Sequence, residues 1–190
     1  MTRTTHTFNV SYPIPHNLST TSVINALHYH DNLLTLQPLV TSYDEISSTN
    51  YSELDPYFDI PGSLIKSYEV TERIILIPGI GEWGKYPITI VADFQNMTDG
   101  IKTRAIASAG VVVRATFIVH QSNRNYLKGS SDDMLAIAHS GSILSENITV
   151  ECSSWLMPFV KQSMEGAHKD LCRNLLERAS SQLLEKGYYS

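Results

Sequence analysis

The feature that most constrains the fold is a change of hydrophobic period near residue 154. Before it, from Leu64 to Val150, apolar and β-branched residues come in runs that alternate with polar ones. After it, Phe159, Ser163, Ala167, Leu171, Leu175, Ala179 and Leu183 recur every four residues, with Lys161, Glu165, Lys169, Arg173 and Glu177 tracking the other side. The first spacing is that of strands and the second that of one long amphipathic helix, with Pro158 in its first turn. Glu165 before Lys169 is the favourable order for an i,i+4 pair on the solvated side.

The rest of the chain fills in around these two blocks. Phe8, Val10 and Tyr12 alternate with polar residues in a first strand that "YPIP" ends. Asn17 or Ser19 can cap a short helix carrying Val23, Ile24 and Leu27, and a second short helical turn runs through Leu33, Leu34 and Leu36 until Pro38 stops it. "LVTSYDEI" reads as an edge strand, and residues 47–62, rich in Ser, Asp, Asn, Pro and Tyr, read as a long loop of the kind that covers a site. Strand-like runs then span 64–77, 86–97, 101–109 and 111–120, and a further strand or bent pair spans 134–150 with a break near Gly141. These form an antiparallel meander.

At 190 residues and 42% hydrophobic, residues 1–190 are expected to form a single domain with a sizeable core. The net charge of −5, with both signs interspersed, offers no basic stripe for nucleic acid. No apolar run reaches spanning length and the N-terminus lacks a secretory h-region, so a soluble, cytoplasmic protein without integral membrane insertion is expected. Cys152 and Cys172, both read as part of the final helical region, are expected to be reduced. G-x-S-x-G, H-E-x-x-H and C-x-x-C motifs are missing, which argues against hydrolase and zinc chemistry. "HYHD" (His28, His30, Asp31) has the residue types of a metal cluster, but i and i+2 do not share a helix face, and a surface or helix-end role is expected instead. No metal or other cofactor is called for.

Gly79, Gly81 and Gly84 have the G-x-G-x-x-G spacing of a dinucleotide fingerprint. That fingerprint works by delivering the chain into a helix whose N-terminal amides receive the pyrophosphate. Here "KYPITIVADF" follows, which is strand-like. The glycines therefore read as a loop between strands, with Trp83 either capping the mouth of a cavity or packing on a neighbouring loop.

The strand running into "YPIP", the "HDNLLTLQPLVTSY" passage, "SYEVTERIILIPG" and the helix from "WLMPFV" onward resemble the START and birch-pollen-allergen superfamily, which also holds polyketide cyclases. Within it, the chain looks most like a fungal START-like family. The resemblance covers nearly the whole chain and implies an α+β helix-grip fold: a curved antiparallel sheet wrapped around a long C-terminal helix, with two short helices after the first strand and an apolar cavity between sheet and helix. The glycine-rich loop falls one hairpin later than in members that carry it after the second strand, so no role of that loop transfers. The functions implied are carriage of sterols or lipids, and cyclisation or dehydration of polyketide-like or terpenoid-like intermediates of secondary metabolism, a pericyclic Diels–Alder step among them. The implied partner is a hydrophobic small molecule. The oligomeric state is open, a homodimer included.

The residues themselves also allow a cavity. Thr103, Ala105, Ala107, Val113, Ala115, Phe117 and Val119 share one parity and face inward with Ile90 and Phe94 of the preceding strand, whereas Lys102, Arg104, Arg114 and His120 take the other. Asp93 also falls outward. The helix sets Ser163, Gly166 and Ala167 opposite, and small residues on both walls leave room for a ligand, the alternative being close packing without a void. Three polar residues are candidates for chemistry. Glu72, inward with Tyr68 and Val70, would be a carboxyl in apolar surroundings suited to acid–base work; in the other register it is a surface ion-pair partner. His139, in "LAIAHSG", could supply a hydrogen bond or proton to a ligand, or serve as a satisfied structural histidine.

Overall fold

In the computed structural model, residues 2–47, 55–59, 65–75, 85–107, 110–121 and 141–187 are described. Strand β1 (Arg3–Pro13) leads into helices α1 (Thr20–His28) and α2 (His30–Thr35). Strands β2 (Val40–Ile46), β3 (Ile65–Ile75), β4 (Lys85–Met97), β5 (Gly100–Ala107), β6 (Val112–Gln121) and β7 (Ser142–Ser153) follow, and α3 (Met157–Gly187) closes the chain. The strands form one seven-stranded antiparallel sheet in the order β1-β7-β6-β5-β4-β3-β2. Every neighbour is sequential except β1, which pairs along its whole length with β7, Phe8 opposite Ile148. The result is the helix-grip arrangement, a curved sheet around the C-terminal helix.

Local chemistry sets the element ends. Ser19 caps α1, its Oγ accepting the Ser22 amide at 3.0 Å. At the other end of α1, His28 Nε2 sits 3.0 Å from the carbonyls of both Met97 and Gly100, so its N–H ties the helix to the β4–β5 turn. Gly100 is required there: a Cβ would lie 1.8 Å from the Phe117 carbonyl oxygen. Pro158 is the second residue of α3, where its missing N–H costs nothing.

The apolar stripe of α3 is buried at Leu171, Leu175 and Ala179, with Leu176 and Cys172 beside them, against Val23 and Leu27 of α1 and Leu144, Ile148 and Val150 of β7. The stripe ends toward the N-terminus of α3, where Phe159 is 71% exposed. Glu165 meets His6 of β1 at 3.3 Å and not Lys169, so the expected intrahelical pair is replaced by a link between helix and sheet. Cys152 is on β7 rather than in the helix; both cysteines are buried and free. No helix among the described residues is long and apolar enough to cross a membrane.

Segment 55–59 covers the outer face of the sheet. The Gln95 side chain exchanges two hydrogen bonds with the Asp59 backbone, at 2.6 and 3.1 Å, and Tyr57 is 2.6 Å from Thr116 Oγ1. Phe58 is buried beside Arg104, whose guanidinium carbon lies 5.5 Å from the ring centre. Beneath this strap Asp93 is fully buried, accepting two N–H bonds from Arg104 at 3.0 and 2.6 Å and one from Ser67 Oγ at 2.6 Å. The outward direction read from alternation is right for Asp93, but outward here does not mean solvated.

Candidate functional site: an apolar cavity between the sheet and the C-terminal helix

Helix and sheet part between the inner face of β3–β6 and the first half of α3, leaving a cavity of about 600 Å³, within the range of small-molecule sites. Ile90, Ala92 and Phe94 of β4, Thr103, Ala105 and Ala107 of β5, and Val113, Ala115 and Phe117 of β6 form its floor. These residues alternate along their strands, and the central row places small side chains opposite one another: Ala92 pairs with Ala105 and Ala105 with Val113. Val160, Met164, Ala167, His168 and Leu171 of α3 form the roof, and Leu33 and Leu34 of α2 one wall. Leu39, 43% exposed, and Phe159 mark the mouth.

Most of the expected wall residues line this cavity: Ile90, Phe94, Ala105, Ala107, Val113, Ala115, Phe117 and Ala167. Gly166 does not. It is exposed, and a Cβ there would meet nothing within 4 Å. Residues one apart on a helix point about 100° from each other, so with Ala167 turned to the cavity Gly166 faces away. Ser163 is on α3, its side chain outside the described residues. Trp83, His139 and the three glycines 79, 81 and 84 also lie outside the described residues.

Glu72 is opposite Val40 on one side and Ile88 on the other and lines the cavity near its mouth. No cation pairs with it among the described residues. Burial raises its carboxyl pKa above the usual glutamate value, the direction that favours the protonated form.

Tyr68 is placed differently from expectation. It shares the inward parity of Glu72 but sits farther along β3, where α2 packs on the sheet. Its hydroxyl is 3.1 Å from His30 Nδ1 and its ring meets Phe94 and Tyr43 edge-on, so it stands outside the cavity lining. His30 is correspondingly buried, not superficial. Its Nε2–H donates to Asn96 Oδ1 at 3.0 Å, leaving Nδ1 to accept from Tyr68. Burial lowers the His30 pKa and raises that of Tyr68 to about 12, which keeps both neutral. No group of three or more metal-ligating side chains gathers at "HYHD" or elsewhere among the described residues.

A second polar feature comes from two elements that sequence reasoning did not connect. Glu146 on β7 is 1% exposed, and its Oε1 lies 2.5 Å from Nδ1 of His168 on α3. Its other oxygen accepts from the Cys172 thiol at 3.3 Å. Burial pushes the Cys172 pKa far up, so the group stays a thiol and donates. Phe8 packs edge-on against the His168 ring. The signal was present: Glu146 falls on the same parity as Leu144, Ile148, Val150 and Cys152, so a carboxylate had to point at the helix, and His168 follows Ala167 of the apolar stripe.

A curved seven-stranded sheet gripping a C-terminal helix over an apolar cavity defines the helix-grip class of proteins. Residues 3–181 match the family described as a domain of unknown function, DUF7053, and the chain belongs to that family. Among solved structures, TTHA0849 from Thermus thermophilus is similar at 11% identity and a TM-score of 0.54, with 94% of this chain and 99% of that one covered. The di-domain ARO/CYC StfQ from the steffimycin biosynthetic pathway is similar at 10% identity and a TM-score of 0.53, with 94% of this chain covered. The chain spans 52% of StfQ, about half of that two-domain protein. Ara h 8.0201 aligns at 12% identity and a TM-score of 0.49, over 92% of this chain and 99% of its own. No curated protein matches the sequence.

Proposed function

We propose that this protein encloses a hydrophobic small molecule in the cavity beneath α3 and catalyses its cyclisation or isomerisation without a cofactor, as a step of secondary metabolism on a polyketide- or terpenoid-like intermediate. The observation that carries this reading is the cavity itself: about 600 Å³ of largely apolar wall holding one carboxyl, Glu72, with no cation beside it among the described residues. Apolar walls of fixed shape fold a flexible substrate toward a reactive conformer, and a carboxyl at the wall whose pKa burial raises can serve as a proton donor to a carbonyl. A pericyclic step of the Diels–Alder type would need shape alone. The occurrence of the same fold in an ARO/CYC protein of the steffimycin biosynthetic pathway is in keeping with an enzymatic role. The reading places the protein in the cytoplasm, free of nucleic acid, as its net charge of −5 suggests. It is compatible with a monomer or a homodimer. The scarcity of polar groups on the wall favours a second reading, a non-catalytic carrier of lipid or sterol.

Native mass spectrometry of the purified protein, followed by denaturing extraction, tests both. A biosynthetic intermediate or its cyclised product recovered at near-stoichiometric amounts is the expected result. An intact lipid or sterol selects the carrier, and failure to retain or bind any apolar molecule overturns the cavity reading.

A further inference from the structure

His168 and Glu146 are arranged to do more than hold α3 against β7. A carboxylate can only accept, so at 2.5 Å from Glu146 Oε1 the Nδ1 of His168 carries the hydrogen, and the lone pair of the neutral ring is on Nε2. Nε2 has no protein partner among the described residues. No fully buried side-chain nitrogen or oxygen among those residues lacks one, so Nε2 is not sealed off, and His168 is part of the cavity wall. Glu146 is itself held by the Cys172 thiol, and the His168 ring is fixed by Phe8. A base oriented by a buried carboxylate in the wall of an apolar chamber, with its second nitrogen unpartnered among the described residues, is the arrangement of a preorganised proton acceptor.

We propose that His168 is a catalytic base at the cavity and Glu146 its positioning residue, and that the ligand carries a C–H made acidic by a neighbouring carbonyl. This rests on the ligand-binding reading above and narrows its substrate class. In the step, the Nε2 lone pair takes the proton, the C–H electron pair becomes the π bond of an enolate, and the carbonyl π pair moves to oxygen. Return of the same proton to a different carbon gives an isomer, and attack of the enolate carbon on an electrophilic carbon of the same molecule closes a ring. Neither outcome needs an oxidant or reductant.

The cavity can be tested with nitrobenzisoxazole, an apolar probe opened by a base alone: the base takes the ring C–H proton, the C–H pair completes a nitrile, and the N–O pair leaves as a phenolate. Nile red fluorescence reports separately whether the cavity binds. The expected result is Nile red binding by the wild type and by His168→Gln, with opening of the probe about 100-fold slower in the variant, the low end of what a positioned base contributes. His168→Gln keeps a donor toward Glu146, so the helix contact survives. The titratable groups around His168 are Glu146, the Cys172 thiol and, beyond Phe8, His6 paired with Glu165; Glu72 also lines the chamber, and the guanidinium of Arg104 is held on the outer face by Asp93. Glu146→Gln should retain dye binding and lower kcat for the opening at an unchanged KM, and Glu146→Asp should recover part of the rate. A merely structural Glu146 would leave kcat in place in a variant that is folded and binds the dye. Equal rates in wild type and His168→Gln, or side-chain nitrogen NMR showing the hydrogen on Nε2, would overturn the assignment while leaving the binding reading intact. Absence of Nile red binding would overturn both.

Discussion

On the outer face of the sheet, the acidic groups around residues 55–59 each have a counter-charge. Asp93 is bound by Arg104 and Ser67, Asp55 by Arg114, and Asp59 by Lys102 at 2.8 Å. Burial alone would raise the Asp55 carboxyl pKa, but the hydrogen bond and charge of Arg114, with the Tyr57 amide, outweigh it and hold it below the ordinary value. On the inner face, among the described residues, Glu72 has burial without a partner, and His168 has a partner for one nitrogen only. Groups with complete partners resist change of protonation and hold structure, whereas incompletely matched groups are free to exchange protons with a ligand. The same sheet thus keeps its stability on one side and its candidate chemistry on the other.

The sharpest way to break this contrast is to remove a charge from the outer face. Asp93→Ala leaves the buried Arg104 guanidinium without its carboxylate and Ser67 without its acceptor. Breaking a buried pair from one side costs about 3–5 kcal/mol. Denaturant unfolding should show a loss of that order, and at temperatures where the variant remains folded it should bind Nile red as the wild type does. A fold as stable as the wild type would mean that the strap and the ion pair do not carry the outer face.

Glu72→Gln probes the inner face and should move stability the other way. Burial raises the folded-state pKa of Glu72 above its ordinary value. The folded chain therefore binds the proton more tightly than the unfolded one, so the contribution is present at low pH and is lost as pH rises through the folded pKa. The glutamine variant never ionises. Its melting temperature should exceed that of the wild type near neutrality, and the difference should vanish below about pH 4, under the ordinary glutamate pKa, where both side chains are neutral. A variant less stable than wild type at neutral pH would show that Glu72 has a favourable charged contact there.

How much of this is legible in the sequence follows the same division. Alternation along β4, β5 and β6 assigns the inward-facing set because a strand's period of two separates faces without knowledge of the partner. It cannot say what covers the other face, and so it places Asp93 outward without revealing that residues 55–59 lie over it. Tyr68 and Glu72 share a parity yet differ in role, because α2 brings His30 to one and leaves the other at the cavity mouth. The pair of Glu146 and His168 joins β7 to α3 across 22 residues, and only its polar member on an apolar parity betrays it. Alternation reports direction; partnership needs the fold.

Gly166 gives the smallest and cleanest of these tests, since two accounts of the residue predict opposite signs. If it were kept small to leave space for a ligand, a methyl group would fill that space and weaken binding. The structure instead turns it to solvent, with nothing within 4 Å of an added Cβ. A glycine inside a helix is about 0.8–1 kcal/mol less favourable than alanine because the unfolded chain has more backbone freedom to lose. Gly166→Ala should therefore stabilise the protein by roughly that amount, about 2–4 °C in a thermal melt for a chain of this size. Nile red affinity should be unchanged, because Ala167 and His168, not Gly166, face the chamber. A loss of dye binding in this variant would mean that α3 turns further toward the sheet than its buried stripe indicates, and the roof of the cavity would have to be redrawn around it.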